Sequence, residues 1–189
     1  MTLIIGITGA SGAIYGIRLL QVLKAISEVE THLIMSEYGR LNIELETNLS
    51  PEEVEALADV VHDVGNQAAS VSSGSYRTDG MVVAPCSMKT LSAIVHSFAD
   101  GLIARAADVT LKERRRLVLM PRETPLHLGH CELLYKAAQL GAIIAPPVPA
   151  FYNNPQSLDD IVNHSVGRVV DLFGISSSKV DRWEGARRE

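Results

Sequence analysis

Aromatic side chains are scarce in this chain: one Trp, five Tyr and three Phe among 189 residues. The core must therefore be aliphatic, and each aromatic has to be accounted for individually. Cysteine is nearly absent. Cys86 and Cys131 alone build neither a disulfide framework nor a thiolate metal centre. Apolar runs are short, and none approaches the roughly 20 residues that span a bilayer. Positive charge is not in excess: 17 Lys and Arg stand against 22 Asp and Glu, a net −5, which is no footprint for nucleic acid. The first residues, Met1-Thr-Leu-Ile-Ile-Gly6, carry no basic region ahead of the apolar one, so they read as a strand and not as a signal peptide. These absences predict a reduced, cytoplasmic, soluble protein. With 47% hydrophobic and 21% charged residues the composition is globular, which excludes disorder as the main state. The length suits one domain, expected over residues 1–174 with a tail at 175–189, and leaves no room for separate cofactor and substrate domains.

What is present is an alternation. Apolar strand-like runs at Leu3–Ile7, His32–Met35, Val60–Val64, Met81–Ala84, Leu117–Met120 and Ala142–Ala145 alternate with amphipathic stretches. Helices are predicted from Ile14 to Ile26, Glu37 to Glu46, Ser50 to Asp59, Ser87 to Phe98, Leu102 to Lys112, Leu128 to Leu140 and Leu158 to Phe173. Gly65 to Gly80 reads as loop with a weak helix. Strands apolar on both faces imply an α/β fold, a mainly parallel sheet covered by helices on both sides. In such sheets ligands sit beyond the carboxyl ends of the strands, and those ends are where this sequence is unusual.

The first strand ends in Gly6-Ile-Thr-Gly9-Ala-Ser-Gly12. Backbone amides at a helix start bind anions, and glycines let a ligand approach. The spacing is neither the dinucleotide fingerprint nor a P-loop. A flavin or phosphate contact and a merely tight turn both remain open, and Ser11 caps the helix, touches a ligand, or does both. The second strand ends at Ser36-Glu37, where Ser36 is a candidate cap and Glu37 either a ribose contact or a plain surface acid. The third ends at Pro85-Cys86-Ser87-Met88-Lys89-Thr90, repeating the logic of the first turn; Cys86 has no partner at nucleophile spacing and reads as a small core residue.

Arg105, Lys112, Arg114, Arg115, Arg116 and Arg122 concentrate positive charge in one region. Most of such a run is a solvated face. Arg122-Glu123 differs, because it directly follows a strand and stands between Pro121 and Pro125: an arginine for phosphate beside a glutamate for proton transfer. His127 and His130, one helical turn apart, suit packing better than a metal, since no third ligand is evident. The remaining histidines, His32, His62, His96 and His164, are scattered and carry no signal. Four prolines stiffen Pro146–Pro155 around Phe151 and Tyr152, either as a rigid turn or as a pocket wall with Tyr152 as its polar tip.

Taken in order from residue 3 to residue 174, Gly9-Ala-Ser-Gly12 with Tyr15-Gly16, Pro85-Cys86-Ser87, Arg105-Ala-Ala-Asp108, Leu111-Lys-Glu-Arg-Arg115, Pro121-Arg-Glu-Thr-Pro125, Gly141-Ala142 and Pro149-Ala-Phe-Tyr152 resemble the UbiX-type flavin prenyltransferases. The catalytic His and the Asn motif of the related decarboxylases of thiol-bearing substrates are not found. The resemblance implies a flavodoxin-like or Rossmann-like three-layer sandwich, assembled as a dodecamer of trimers. It implies transfer of a dimethylallyl group from dimethylallyl monophosphate to N5 and C6 of reduced FMN, without metal. The product, prenylated FMN, would serve a UbiD-type decarboxylase of aromatic or unsaturated acids. On this resemblance Gly9, Ala10, Ser11, Ser36, Ser87, Met88, Lys89, Thr90 and Arg122 belong to the FMN site. Tyr152, Arg168, Lys112, Arg105 and the tail residue Trp183 belong to the prenyl-phosphate site. Arg122 and Lys112 would complete the catalytic anion site, Glu123 would carry the proton, Ser11 would assist at the ring, and Glu46 would shape the pocket. A contrasting reading is a non-catalytic FMN-binding subunit of a hydroxyarylic acid decarboxylase complex.

Overall fold

In the computed structural model, which describes residues 1–175, six parallel strands form one sheet in the order β3-β2-β1-β4-β5-β6. They are β1 (Thr2–Ile7), β2 (Glu30–Met35), β3 (Val60–His62), β4 (Gly80–Cys86), β5 (Arg116–Pro121) and β6 (Ile143–Ile144). The helices are α1 (Ala13–Lys24), α2 (Glu37–Glu46), α3 (Pro51–Glu55), α4 (Met88–Val95), α5 (Leu102–Lys112), α6 (Leu128–Gln139) and α7 (Leu158–Asp171). The chain runs outward from β1 to β3, then returns to add β4 on the other side of β1. That reversal makes the doubly wound, three-layer α/β sandwich the sequence predicts, with its switch point between β1 and β4.

Strand alternation sends side chains into two cores. Leu3, Ile5, Ile7, Val82 and Val118 meet α1 and α7 on one face, while Ile4, Ile34, Met81, Val83 and Leu119 meet α4 and α5 on the other. Both cores are aliphatic, as expected: of the aromatic residues, Phe173 alone is buried among the described residues.

Departures from the predicted elements have tertiary causes. Helix α3 stops at Glu55, because the Asp59 carboxylate accepts hydrogen bonds from the Thr31 amide (2.7 Å) and hydroxyl (2.9 Å), drawing residues 57–59 onto β2. Strand β4 runs through Pro85 to Cys86 where the proline predicts a stop. The ladder shifts register between Val83 and Cys86, where the missing proline N–H is not needed. The Pro85 carbonyl instead accepts the Thr8 hydroxyl (2.7 Å). Helix α4 ends at Val95, short of Phe98, as Ser97 adopts φ +52. The weak helix predicted in 65–80 is one 3-10 turn, Ser70–Ser72.

His32 and His62, silent in the sequence, meet on the neighbouring strands β2 and β3. His32 Nδ1 lies 2.8 Å from His62 Nε2, and the Tyr76 hydroxyl 3.2 Å from His32 Nε2. Burial lowers both imidazoles below their ordinary value. The charge of His32 lowers His62 further, while Glu30 and Asp59 partly offset the shift of His32. The unfolded chain therefore binds more protons. The contribution of the neutral pair is complete above about pH 6.5 and is lost as pH falls through the depressed folded values. Urea midpoints should drop between pH 7.5 and pH 5, and His62→Gln should show a smaller drop. An equal drop in that variant would assign the pH dependence elsewhere.

Candidate active site

The carboxyl ends of β1 to β4 open into a cleft of about 470 Å³, within the usual size range for small-molecule sites of roughly 300–1,000 Å³. Gly9, Ser36, Ser87, Lys89 and Thr90, all predicted cofactor residues, line it. A parallel sheet brings them together, because every strand delivers its C-terminal residue to the same edge. Each turn is built locally. Ser36 caps α2 by accepting from the Gly39 amide (3.0 Å). Ser87 caps α4 by accepting from the Thr90 amide (3.2 Å) and donates to the Thr90 hydroxyl (3.1 Å). The Ser87 amide in turn donates to the Thr8 hydroxyl (2.8 Å). Thr8 thus stitches the ends of β1 and β4 at the switch point, a role marked in the sequence only by its place at a strand end.

The first turn differs from expectation. Gly12, at φ +102, is the N-cap of α1, and Ser11 does not cap. The Glu46 carboxylate does so from α2, accepting from the Gly12 (2.8 Å) and Ala13 (3.0 Å) amides. Ser11 is left exposed on the turn. Ala10 is buried in the core and Met88 packs against the apolar cluster beneath α4, so neither is part of the cleft lining. Glu37 does line it, as do Val64, Ile103 and Ala104, which the sequence did not single out. They are far apart along the chain, and only the placing of β3 and α5 brings them together. Cys86 is fully buried, its thiol pushed up to about 12 by desolvation, which agrees with a core residue and not a nucleophile.

Arg122 and Glu123 follow β5 and are exposed. The Arg122 amide donates to the Cys86 carbonyl (3.2 Å), holding this segment beside the β4–α4 turn. Tyr15 lies next to Gly12, where an added Cβ would sit 3.1 Å from its ring. Burial raises its phenol, and the Arg122 charge partly opposes that rise. Glu123 Oε1 accepts from the Thr124 amide (3.0 Å).

A second hollow, of about 210 Å³, lies between the ends of β5 and β6 and helix α7, with Met120, Pro146, His164 and Arg168 among its walls. Arg168 pairs with Asp171 at 3.0 Å. The Tyr152 hydroxyl lies 2.8 Å from His164 Nε2, linking the stiff proline segment to α7. Two predicted residues do not join this edge within one protomer. Helix α5 runs antiparallel to the sheet and its eleven residues span about 16 Å. Lys112 at its C-terminus therefore sits at the opposite edge, paired with Glu113 near Gly74. Arg105 lies on the outer side of α5, bonded to the Ser72 carbonyl (3.1 Å) and to Asp108 (3.1 Å). Trp183 lies outside the described residues. His127 caps α6 by accepting from the His130 amide, and the two rings stack at 3.6 Å. No group of three or more His, Cys, Asp or Glu among the described residues is arranged to hold a metal ion. No helix among them is long and apolar enough to cross a membrane.

The donor set fits a flavin mononucleotide. Apolar side chains (Val64, Ile103, Ala104) offer walls for a planar ring, while Ser36, Ser87, Thr90 and the start of α4 offer donors for polar edges and a phosphate. An α/β sandwich with such a cleft at its switch point is the architecture of a flavoprotein, and the Flavoprotein family model matches residues 1–170. Flavin prenyltransferase UbiX of Escherichia coli (strain K12) is 62% identical over 186 residues, covering 97% of this chain and 98% of that one. The crystal structure of a dodecameric FMN-dependent UbiX-like decarboxylase from Escherichia coli O157:H7 superposes with a TM-score of 0.97 at 54% identity, covering 98% and 100% of the two chains. That of AnUbiX (PadA1), in complex with FMN and dimethylallyl pyrophosphate, gives 0.96 at 50% identity, covering 98% of each. The chain belongs to the flavoprotein family and, within it, to the UbiX flavin prenyltransferases.

Proposed function

We propose that this enzyme transfers a dimethylallyl group from dimethylallyl phosphate to reduced FMN, forming prenylated FMN. The observation that carries the reading is the pairing of a flavin-sized cleft with a separate hollow at the same sheet edge, walled in part by Arg168. A protein that only stores flavin has no use for the second. Reduced FMN, when bound, supplies the nucleophilic N5 and C6 that take the prenyl group.

The residues of this chain do the rest. Gly9, Ser36, Ser87 and Thr90 hold the flavin, with Lys89 contributing from the first turn of α4. Arg122, Arg168 and Tyr152 bind the substrate phosphate. When the allylic C–O bond breaks, the oxygen keeps the electron pair, and preorganised cations stabilise that charge. Glu123 carries the proton to the leaving phosphate, Ser11 assists proton transfer at the ring, and Glu46 keeps the first turn in place through the Gly12 and Ala13 amides. Apolar cleft walls exclude water from the allylic centre.

Lys112 and Arg105 serve the phosphate of a neighbouring copy. Their position away from this protomer's site supports that arrangement, as does the dodecameric state of the O157:H7 relative. Residues 1–174 act as one flavoprotein unit in the cytoplasm and hand the product to a UbiD-type decarboxylase, a reading that rests on family membership. Phosphate release from dimethylallyl phosphate should require reduced FMN and stop with oxidised FMN. Release that ignores the flavin, or none with reduced flavin, would overturn the proposal.

A further inference from the structure

We infer that Thr8 is a positioning residue for the flavin cleft: its buried hydroxyl fixes the Ser87 amide, and through it the Ser87–Thr90 pair that lines the cleft. This deepens the functional reading above and rests on it.

The central strand β1 holds a capping serine on each side. The Ile7 carbonyl accepts the Ser36 amide (3.0 Å) toward α2. The Thr8 hydroxyl accepts the Ser87 amide (2.8 Å) toward α4. Both serines cap their helices and line the cleft. The first anchor is a backbone atom, which any residue would supply. The second is a side chain, and the strands explain why. The β1–β4 register has its last partners at Gly6 and Val83. Beyond them Pro85 has no N–H to offer, and the Thr8 amide reaches the Pro85 carbonyl at the longer distance of 3.3 Å.

The hydroxyl closes this gap with both of its functions. It donates to the Pro85 carbonyl (2.7 Å) and accepts from the Ser87 amide. Neither direction is ambiguous, because a carbonyl can only accept and an amide can only donate. Valine has the shape of threonine and neither function; serine has both. At 1% exposure Thr8 lies in the core, and it is not part of the cleft lining. Its effect on a ligand must therefore pass through Ser87. The Ser87 hydroxyl holds the Thr90 amide (3.2 Å) and hydroxyl (3.1 Å), so the three residues form one connected unit.

Fluorescence titration of the full-length protein with FMN, beside thermal melts of each variant, tests this. Thr8→Val should weaken FMN binding about tenfold, the order of one lost hydrogen bond. Thr8→Ser, which restores donor and acceptor, should stay within about threefold of wild type. Thr90→Val should itself weaken binding, and Thr8→Val added to it should cost less than Thr8→Val alone, because the residues act as a unit. If Thr8→Val does not fold, Thr8→Cys takes its place, since a thiol keeps the size of serine with much weaker hydrogen bonding. Wild-type FMN affinity in Thr8→Val beside a lowered melting temperature is the mark of a solely structural role, and would overturn the inference. So would Thr8→Ser binding as weakly as Thr8→Val, or an undiminished loss in the Thr90→Val background. Loss in Thr90→Val with none in Thr8→Val defeats the role of Thr8 alone. FMN affinity untouched by Thr90→Val defeats the reading of the cleft, and the role of Thr8 with it.

Discussion

Glu123→Gln is expected to slow prenylated-flavin formation by about 10²–10⁴-fold, the usual worth of a general acid, with FMN affinity unchanged. Glu123 stands exposed at the end of β5, beside Arg122. Its carboxylate accepts a hydrogen bond from the Thr124 amide (3.0 Å). A glutamine carbonyl can accept that bond equally well, so the fold and the flavin cleft should be untouched. What is lost is a carboxyl able to carry a proton to the departing phosphate. Anaerobic single-turnover absorbance of the flavin reads the rate, and a thermal melt reads the fold. Equal turnover in the variant would remove Glu123 from the mechanism.

Gly16→Ala should cost the fold itself. Helix α1 crosses the sheet so closely at this point that a Cβ would stand 2.3 Å from the Ala84 carbonyl oxygen and 2.8 Å from Ile7 Cγ1. Both neighbours belong to the switch-point strands, and a backbone oxygen in a paired strand cannot yield as a side chain can. The helix must lift, at about 1–3 kcal/mol for an overpacked core. For a chain of this size that corresponds to a fall in melting temperature of roughly 2–12 °C. Since the α1 start also carries the Gly12 turn held by Glu46, FMN affinity should fall with it. A variant melting with wild type would mean that α1 does not approach β4 this closely.

The sequence made periodic features legible. Helices α2 and α5 begin and end where their patterns predict, because a capping serine or a glycine precedes each and their apolar spacing is regular. Elements set by long-range bonds were not legible: α3 is cut short by Asp59 reaching β2, and β4 is carried through Pro85 by Thr8. The same division holds for the site. Ser36 and Ser87 announce themselves at strand ends, where a parallel sheet collects them. His164 looks like any scattered histidine until α7 sets it against Tyr152. Lys112 and Arg105 read as part of one basic region with Arg122, yet the direction of α5 separates them within a protomer. Charge composition alone says nothing about which end of a helix faces a ligand.

The central claim is the transfer of a five-carbon unit to the flavin. Mass spectrometry of the flavin extracted after anaerobic incubation of the protein with reduced FMN and dimethylallyl phosphate tests it most directly, with a parallel sample containing dimethylallyl diphosphate to separate the two donors. The flavin from the monophosphate sample should be heavier by one dimethylallyl unit. Unaltered FMN with both donors, under conditions in which a UbiX enzyme of known activity converts it, would rule out prenyl transfer by this protein.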